Sequence, residues 1–128
     1  MVRQIFFVGC GGFLGSIARY LVTLALPAIT GISAARFPIA TLAVNTLGCL
    51  AMGAIAGLFM RSDALSSPTF LFLSIGVLGG FTTFSAFGLE TFQLLRSGQS
   101  GLAVLNVTAN LALGFTAVLL GRWVVFRA

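Results

Sequence analysis

Gly76-Val77-Leu78-Gly79-Gly80-Phe81-Thr82-Thr83-Phe84-Ser85-Ala86-Phe87 lies inside a run, residues 64–89, that carries no charge. The run is long enough to cross a bilayer, because about 20 apolar residues span roughly 30 Å of hydrocarbon. Counted from Pro68 at 1.5 Å per residue, Gly80 falls about 18 Å along such a helix, near the bilayer centre. A Gly-Gly pair followed by Thr-Thr is a poor helix interior. Irregular backbone at that depth is tolerated only where protein buries it or a wet cavity flanks it. Two readings stand side by side. The stretch is a glycine kink for packing, its threonine hydroxyls bonded back to carbonyls one turn earlier, or it is a functional break. A break leaves free carbonyls at the end of one half-helix, which attract a cation. It also leaves free N–H groups at the start of the next, which attract an anion.

Outward from this stretch the charges punctuate the chain at membrane-spanning intervals. Residues 37–60 and 97–121 carry no charge, and 4–26 are interrupted only by Arg19. The expectation is an all-α membrane protein of one domain, 1–128. Its four transmembrane helices run roughly over 4–26, 38–60, 68–96 and 101–125, with the third broken near mid-membrane. Pro27 and Gly31 are expected to end the first helix. Pro38 and Pro68 stand where first-turn prolines open the second and third, with Ser67 as an N-cap. The most polar segment, 61–68, separates the second and third helices, and Ser97-Gly98-Gln99-Ser100-Gly101 the third and fourth. Loops this short make neighbours antiparallel. Gly9, Gly11, Gly12, Gly15 and Arg19 interrupt the first apolar run, against a cleaved signal peptide.

Composition agrees. The chain of 128 residues is 59% hydrophobic and 7% charged, against about a quarter charged in a soluble domain. Such a chain can clothe no soluble surface, and it is far too apolar to be disordered. The net charge of +5 comes from seven basic residues, all Arg, against two acidic ones. In a soluble protein this balance points to nucleic acid; here the arginines are scattered, and no nucleic-acid partner is expected. On a four-span map, Arg3, Arg61, Arg122 and Arg127 share one side. Arg36, Arg96 and, if it reaches that interface, Arg19 share the other. Orientation follows such bias in short loops. Four against three is almost none, which favours insertion in both orientations and an antiparallel homodimer over a single orientation set by the C-terminal arginines.

Gly11 and Gly15, Gly53 and Gly57, and Gly76 and Gly80 are small-xxx-small pairs that let helix backbones approach in lipid. They imply a bundle with little room for a large substrate. Cys10 and Cys49 read as small packing residues, since no His and no Cys partner stands at ligand spacing.

Polar residues inside spans are costly and point to function. Phe84 and Phe87 share a face at i, i+3 directly after the polar break. They are packing residues or, through their electropositive ring edges, neighbours of a small anion. Asn45 and Thr41 share a face of the second helix. Asn106 and Asn110, continued by Gly114, share one of the fourth, as interhelical hydrogen bonding or as a polar track. Arg19 and Glu90 either snorkel to opposite interfaces or serve an anion path, singly or as a pair. With no His, no Lys and no carboxylate pair there is no catalytic constellation, so an enzyme is not expected. A pore or carrier for a small inorganic ion, most naturally an anion, is. In an antiparallel dimer two breaks would meet at the midplane, where carbonyls of both chains could hold one hard cation.

Taken together these motifs resemble those of the Fluc (CrcB) fluoride channels of microorganisms, over nearly the whole chain. Gly11-Gly12-Phe13-Leu14-Gly15-Ser16-Ile17-Ala18-Arg19-Tyr20 resembles the signature GGxxGxxxRY. Thr41-Leu42-Ala43-Val44-Asn45-Thr46-Leu47-Gly48 resembles TLxVNxxG, and residues 76–87 resemble GxxGGxTTFSTF, with Glu90 where the family has a glutamate. The resemblance implies an antiparallel, dual-topology homodimer in the cell membrane with two pores for passive fluoride efflux, which relieves fluoride toxicity. It implies that Phe84 and Phe87 line the pore with Asn45 nearby. Thr41, Ser85, Glu90 and the fourth-helix face including Asn110 would extend the path, and Arg19 would serve a vestibule. It further implies a structural Na⁺ on the backbone carbonyls of Gly79 and Thr82. The chain departs from the family at Ala40, usually Gly, and at Ala86, commonly Thr. It departs again at Asn106, Asn110 and Gly114, where Tyr or Ser is frequent.

A small multidrug-type exporter shares the length, the four helices and dual topology. That family centres on a first-helix glutamate, and no acidic residue occurs here before Asp63. A packing subunit without transport of its own is the third reading; the polar break and the asparagines weigh against it.

Overall fold

The computed structural model describes residues 2–33, 36–60, 65 and 67–127. Arg61, Asp63 and Ser66 of the polar connection lie outside the described residues. The chain is all helical: α1 (Val2–Thr30), α2 (Ile39–Met60), α3 (68–81), α4 (Phe84–Arg96) and α5 (Ser100–Arg127). The spans Val2–Thr30, Ile39–Met60, Pro68–Arg96 and Ser100–Arg127 are each long and apolar enough to cross a membrane, the third being α3 and α4 in series.

Local chemistry sets most boundaries. Ser67 is extended, its Oγ accepts the Phe70 N–H at 3.1 Å, and Pro68 follows in the first turn, as expected. Pro38 stands one residue before α2, where its carbonyl accepts the Leu42 N–H at 3.1 Å. Gly98, at φ 75°, closes α4. Its N–H goes to the Leu95 carbonyl and that of Gln99 to the Leu94 carbonyl, a pairing that satisfies two orphan acceptors of the last turn.

Pro27 does not end α1. The helix continues to Thr30 and stops at Gly31, at φ 68°, whose N–H bonds the Pro27 carbonyl at 3.0 Å. A proline removes only its own N–H, here the donor to the Thr23 carbonyl, and its φ is already helical. The left-handed residue, which glycine adopts without steric cost, is what turns the chain.

Two interfaces hold the bundle: α1 packs along α3, and α2 along α5. The glycine pairs lie at these seams. A Cβ on Gly15 would run into the Val77 carbonyl oxygen. One on Gly11 would sit 2.6 Å from the Phe72 carbonyl oxygen, and one on Gly80 2.5 Å from that of Gly12. Gly53 faces the Val118 carbonyl of α5, and Gly57 faces Val125. The interior is correspondingly thin: among the described residues, Val44 and Asn106 are the largest side chains with no exposure at all. Large apolar side chains such as Phe13, Tyr20, Phe84 and Phe115 stand mostly exposed on the protomer, a surface for lipid or protein and not for water.

Two features of α3 differ from a simple kinked helix. Residues Phe72–Leu78 form a π-helical segment between α-helical turns Pro68–Leu71 and Gly79–Phe81. Gly79 and Gly80 themselves stay helical. The backbone opens at Thr82 (φ −77°, ψ 158°) and Thr83 (φ −150°, ψ 115°), both extended. The glycines serve the approach to α1; the threonines make the break.

Candidate functional site

The break frees backbone groups, and each goes to an identifiable partner. In an unbroken helix the Thr83 N–H would bond the Gly79 carbonyl. Instead it bonds the Asn45 Oδ1 of α2 at 2.9 Å, while Asn45 Nδ2 donates to the Thr83 carbonyl at 3.3 Å. One side-chain amide thus pairs with the backbone of the break on both edges. The Ala86 N–H would bond the Thr82 carbonyl; it bonds Thr83 Oγ1 at 3.2 Å, so Thr83 is the N-cap of α4. Thr82 Oγ1 bonds back to the Leu78 carbonyl at 2.9 Å. That back-bond is the one expected of a packing kink, and here it coexists with a true opening.

Arg19 of α1, half-buried, donates from Nη1 to the Thr82 carbonyl at 3.4 Å. Glu90 of α4 accepts the Thr41 hydroxyl on Oε1 at 2.7 Å, and its Oε2 is buried with no hydrogen-bond partner among the described residues. Snorkelling does not describe Arg19, which turns inward to the break. Arg19 and Glu90 make no ion pair among the described residues.

Two clefts flank the break and share Thr83. The first, about 330 Å³, is lined by Asn45, Gly79, Thr82, Phe84, Phe87 and Asn110, with Cys49 and Met52 further along α2. The Phe84 and Phe87 ring centroids lie 5.6 Å apart at an interplanar angle of 51°, and Phe84 is 84% exposed. The second, about 310 Å³, brings together Arg19, Tyr20, Thr41, Thr83 and Glu90. The expected site residues therefore divide. The rings and amides line one side of the break, and the charges and Thr41 the other. Ser85 is exposed at the junction, its Oγ 3.4 Å from Thr83 Oγ1.

The capping role of Thr83, the residue Thr91 and the depth of Asn106 were not read from the sequence, which marked Thr83 only as half of a Thr-Thr pair unsuited to a helix interior. Thr83 was the most accessible of the three, since a threonine three residues before a free N–H at a helix start is an N-cap pattern. Asn106 is wholly buried and bonds Thr91 Oγ1 at 2.9 Å. Gly114 is buried, with Cys49 Sγ 3.5 Å from where its Cβ would stand.

Chemically, the site presents ring edges, amides, hydroxyls and two half-helix ends within a span, and it has one fixed cation close by. No group of three or more His, Cys, Asp or Glu side chains that could hold a metal occurs among the described residues. The carbonyls that lose helical donors, Gly79 and Thr82, are hard oxygen ligands of the kind that suit a hard cation.

These features define a multi-pass protein of the cell membrane whose third span opens onto largely apolar clefts edged by a few amides, hydroxyls and charges, the build of a small-ion pathway. The chain belongs to the CrcB family: the model of the CrcB-like protein, Camphor Resistance (CrcB), matches residues 6–122. It is similar to proteins named fluoride-specific ion channel FluC. The one from Azobacteroides pseudotrichonymphae is 42% identical over 121 residues, covering 94% of both chains. That from Chlorobium chlorochromatii is 45% identical over 124 residues, covering 94% of this chain and 93% of the relative. That from Methylobacillus flagellatus is 41% identical over 118 residues, covering 92% and 91%.

Proposed function

We propose that this chain is a fluoride-selective ion channel, not an enzyme, that lets fluoride leave the cell passively and so lowers its toxicity. The names of its relatives support the reading, and one observation of this molecule carries it. At the break, Phe84 and Phe87 stand at the edge of the cleft that Asn45 and Asn110 line. A small anion stripped of water needs weak, fixed positive edges and donors, not a full counter-charge that would trap it. Ring edges supply the positive edges, and the Asn45 and Asn110 amides, their N–H groups held by Thr83, Asn110 and Asn106, fix the wall behind them. Arg19 raises the local anion concentration at the second cleft, and Thr41, Ser85 and Glu90 continue the polar path.

The chain acts as an antiparallel, dual-topology homodimer. The exposure of Phe84 and Gly79 on the protomer supports a covering partner at the break, and the near-equal arginine split supports both orientations. A Na⁺ ion held by the Gly79 and Thr82 carbonyls would serve as a structural charge between two copies. Fixed topology in reporter fusions to the unmodified chain would overturn the dual arrangement, and thermal stability unchanged by exchange of Na⁺ for a large organic cation would overturn the ion site.

The decisive experiment is fluoride efflux from liposomes holding the purified protein, with chloride in parallel. Fluoride flux with little chloride flux is expected; absence of fluoride flux sinks the proposal.

A further inference from the structure

The amides at the break belong to one continuous hydrogen-bonded relay with a single direction. Arg19 Nη1 donates to the Thr82 carbonyl at 3.4 Å. The same peptide unit donates through the Thr83 N–H to Asn45 Oδ1 at 2.9 Å. Asn45 Nδ2 donates to Asn110 Oδ1 at 3.0 Å, and Asn110 Nδ2 to Asn106 Oδ1 at 3.0 Å. Asn106 Nδ2 donates to Thr91 Oγ1 at 2.9 Å, and Thr91 Oγ1 to the Phe87 carbonyl at 2.8 Å. Each amide accepts on oxygen and donates on nitrogen, so the units polarise one another in the same sense. A permanent cation stands at one end, and the peptide of a cleft-lining phenylalanine at the other.

Asn106 holds the key place. It is 0% exposed and lies outside the cleft. Its backbone carbonyl and its Oδ1 each accept an Asn110 N–H at 3.0 Å. Both donors of Asn110 are thereby turned inward, and only its oxygen faces Asn45. Were Asn110 to rotate, its NH₂ would meet the NH₂ of Asn45. Asn45 would then turn, and the buried Thr83 N–H would lose its acceptor, an unfavourable state.

We propose that Asn106, which touches no ion, is a positioning residue for fluoride. It locks the Asn110 amide, and through it Asn45, in the one orientation that keeps Asn45 Oδ1 on the Thr83 N–H and so holds the break that carries Phe84 and Phe87 to the cleft. The inference rests on the fluoride-channel reading above. Removing the lock populates the reversed amides, which take the acceptor from the Thr83 N–H and loosen the start of α4 where Phe84 and Phe87 stand.

The test is fluoride flux as a function of fluoride concentration for the unmodified chain, Asn106→Leu and Thr91→Val. Asn106→Leu should raise the half-saturating concentration about fivefold, the equivalent of one neutral hydrogen bond, with a smaller change in maximal flux. Thr91→Val removes the bond Asn106 donates and leaves both bonds Asn110 makes to it, so its half-saturation should shift less than about twofold on the same scale. Equal shifts in the two variants, or none in Asn106→Leu, overturn the proposal while leaving the channel reading intact. Absence of flux in the unmodified chain overturns the channel reading and the proposal with it. A second readout needs neither flux nor variant. In the unmodified protein the Asn110 side-chain amide hydrogens should exchange with deuterium at least tenfold more slowly than those of exposed Gln93, as paired donors do. Equal rates overturn the lock even if Asn106→Leu fails to insert.

Discussion

Replacing Asn45 by Leu tests whether the opening of the third span is held from outside. Asn45 accepts the Thr83 N–H at 2.9 Å and donates to Asn110 Oδ1 at 3.0 Å and to the Thr83 carbonyl at 3.3 Å. Thr83 is buried, 9% exposed, so its N–H finds no water when the acceptor goes. Leaving that donor orphaned costs about 1–3 kcal/mol, and the bond to Asn110 adds roughly 1 kcal/mol. Leu is no smaller than Asn, so no cavity penalty joins these terms. The expected loss is roughly 2–4 kcal/mol of stability by this reckoning, read by reversible unfolding in mixed micelles. The same loss loosens the start of α4 that carries Phe84 and Phe87, and about 1.4 kcal/mol of it felt at the cleft corresponds to a tenfold rise of fluoride half-saturation in the liposome assay. Asn45→Asp keeps the acceptor for Thr83 but loses both donors, so its flux should fall although the break retains its clamp. Native stability together with native flux in Asn45→Leu would refute the reasoning, because the Thr83 N–H would then have another acceptor.

Phe84→Ile and Phe87→Ile should each reduce fluoride flux while the helical signal and elution volume stay native; wild-type flux in both would return the rings to packing. Gly15→Ala would drive a methyl group into the Val77 carbonyl and toward the Phe81 N–H. Backbone cannot yield as a side chain can, so about 1–3 kcal/mol of destabilisation is expected in the same unfolding assay. Gly9→Ala, with nothing within 4 Å of its added Cβ, is the matched control and should be neutral or mildly stabilising; equal losses at both positions would contradict the close α1–α3 seam.

How far the sequence could be read depended on how local each feature is. The Ser67–Pro68 start and the Gly31 stop were legible because a cap or a left-handed turn concerns only a few neighbouring residues. Pro27 misled because its cost depends on where in the helix it falls, and the last turn of α1 has little to lose. The Gly-Gly pair drew attention to the right place, yet Gly79 and Gly80 stay helical and the chain opens at Thr82 and Thr83. Glycine there answers the nearness of α1, which no local pattern reveals. Phe72–Leu78 gave no sign of a π-helical segment, since its residues suit an α-helix equally well. The wider turn changes the phase of every face that follows, so stripes counted at 3.6 residues across it could not forecast which side of the break each residue would take.

Sequence by itself determined that this chain lives in a membrane, crosses it four times and carries an interruption in its third span. Those properties follow from hydropathy, charge spacing and the backbone preferences of Gly, Pro and Thr, each decided within a few residues. Only the tertiary structure decided the partners of the freed groups. Asn45 reaches Thr83 38 residues away, Arg19 reaches Thr82 63 residues away, and Asn110 reaches Asn45 65 residues away. It also parted Arg19, Thr41 and Glu90 from the Phe84–Phe87 cleft. The physical reason is that a hydrogen bond requires its atoms within about 3 Å and well aligned, and the rotation and depth of each packed helix set that alignment.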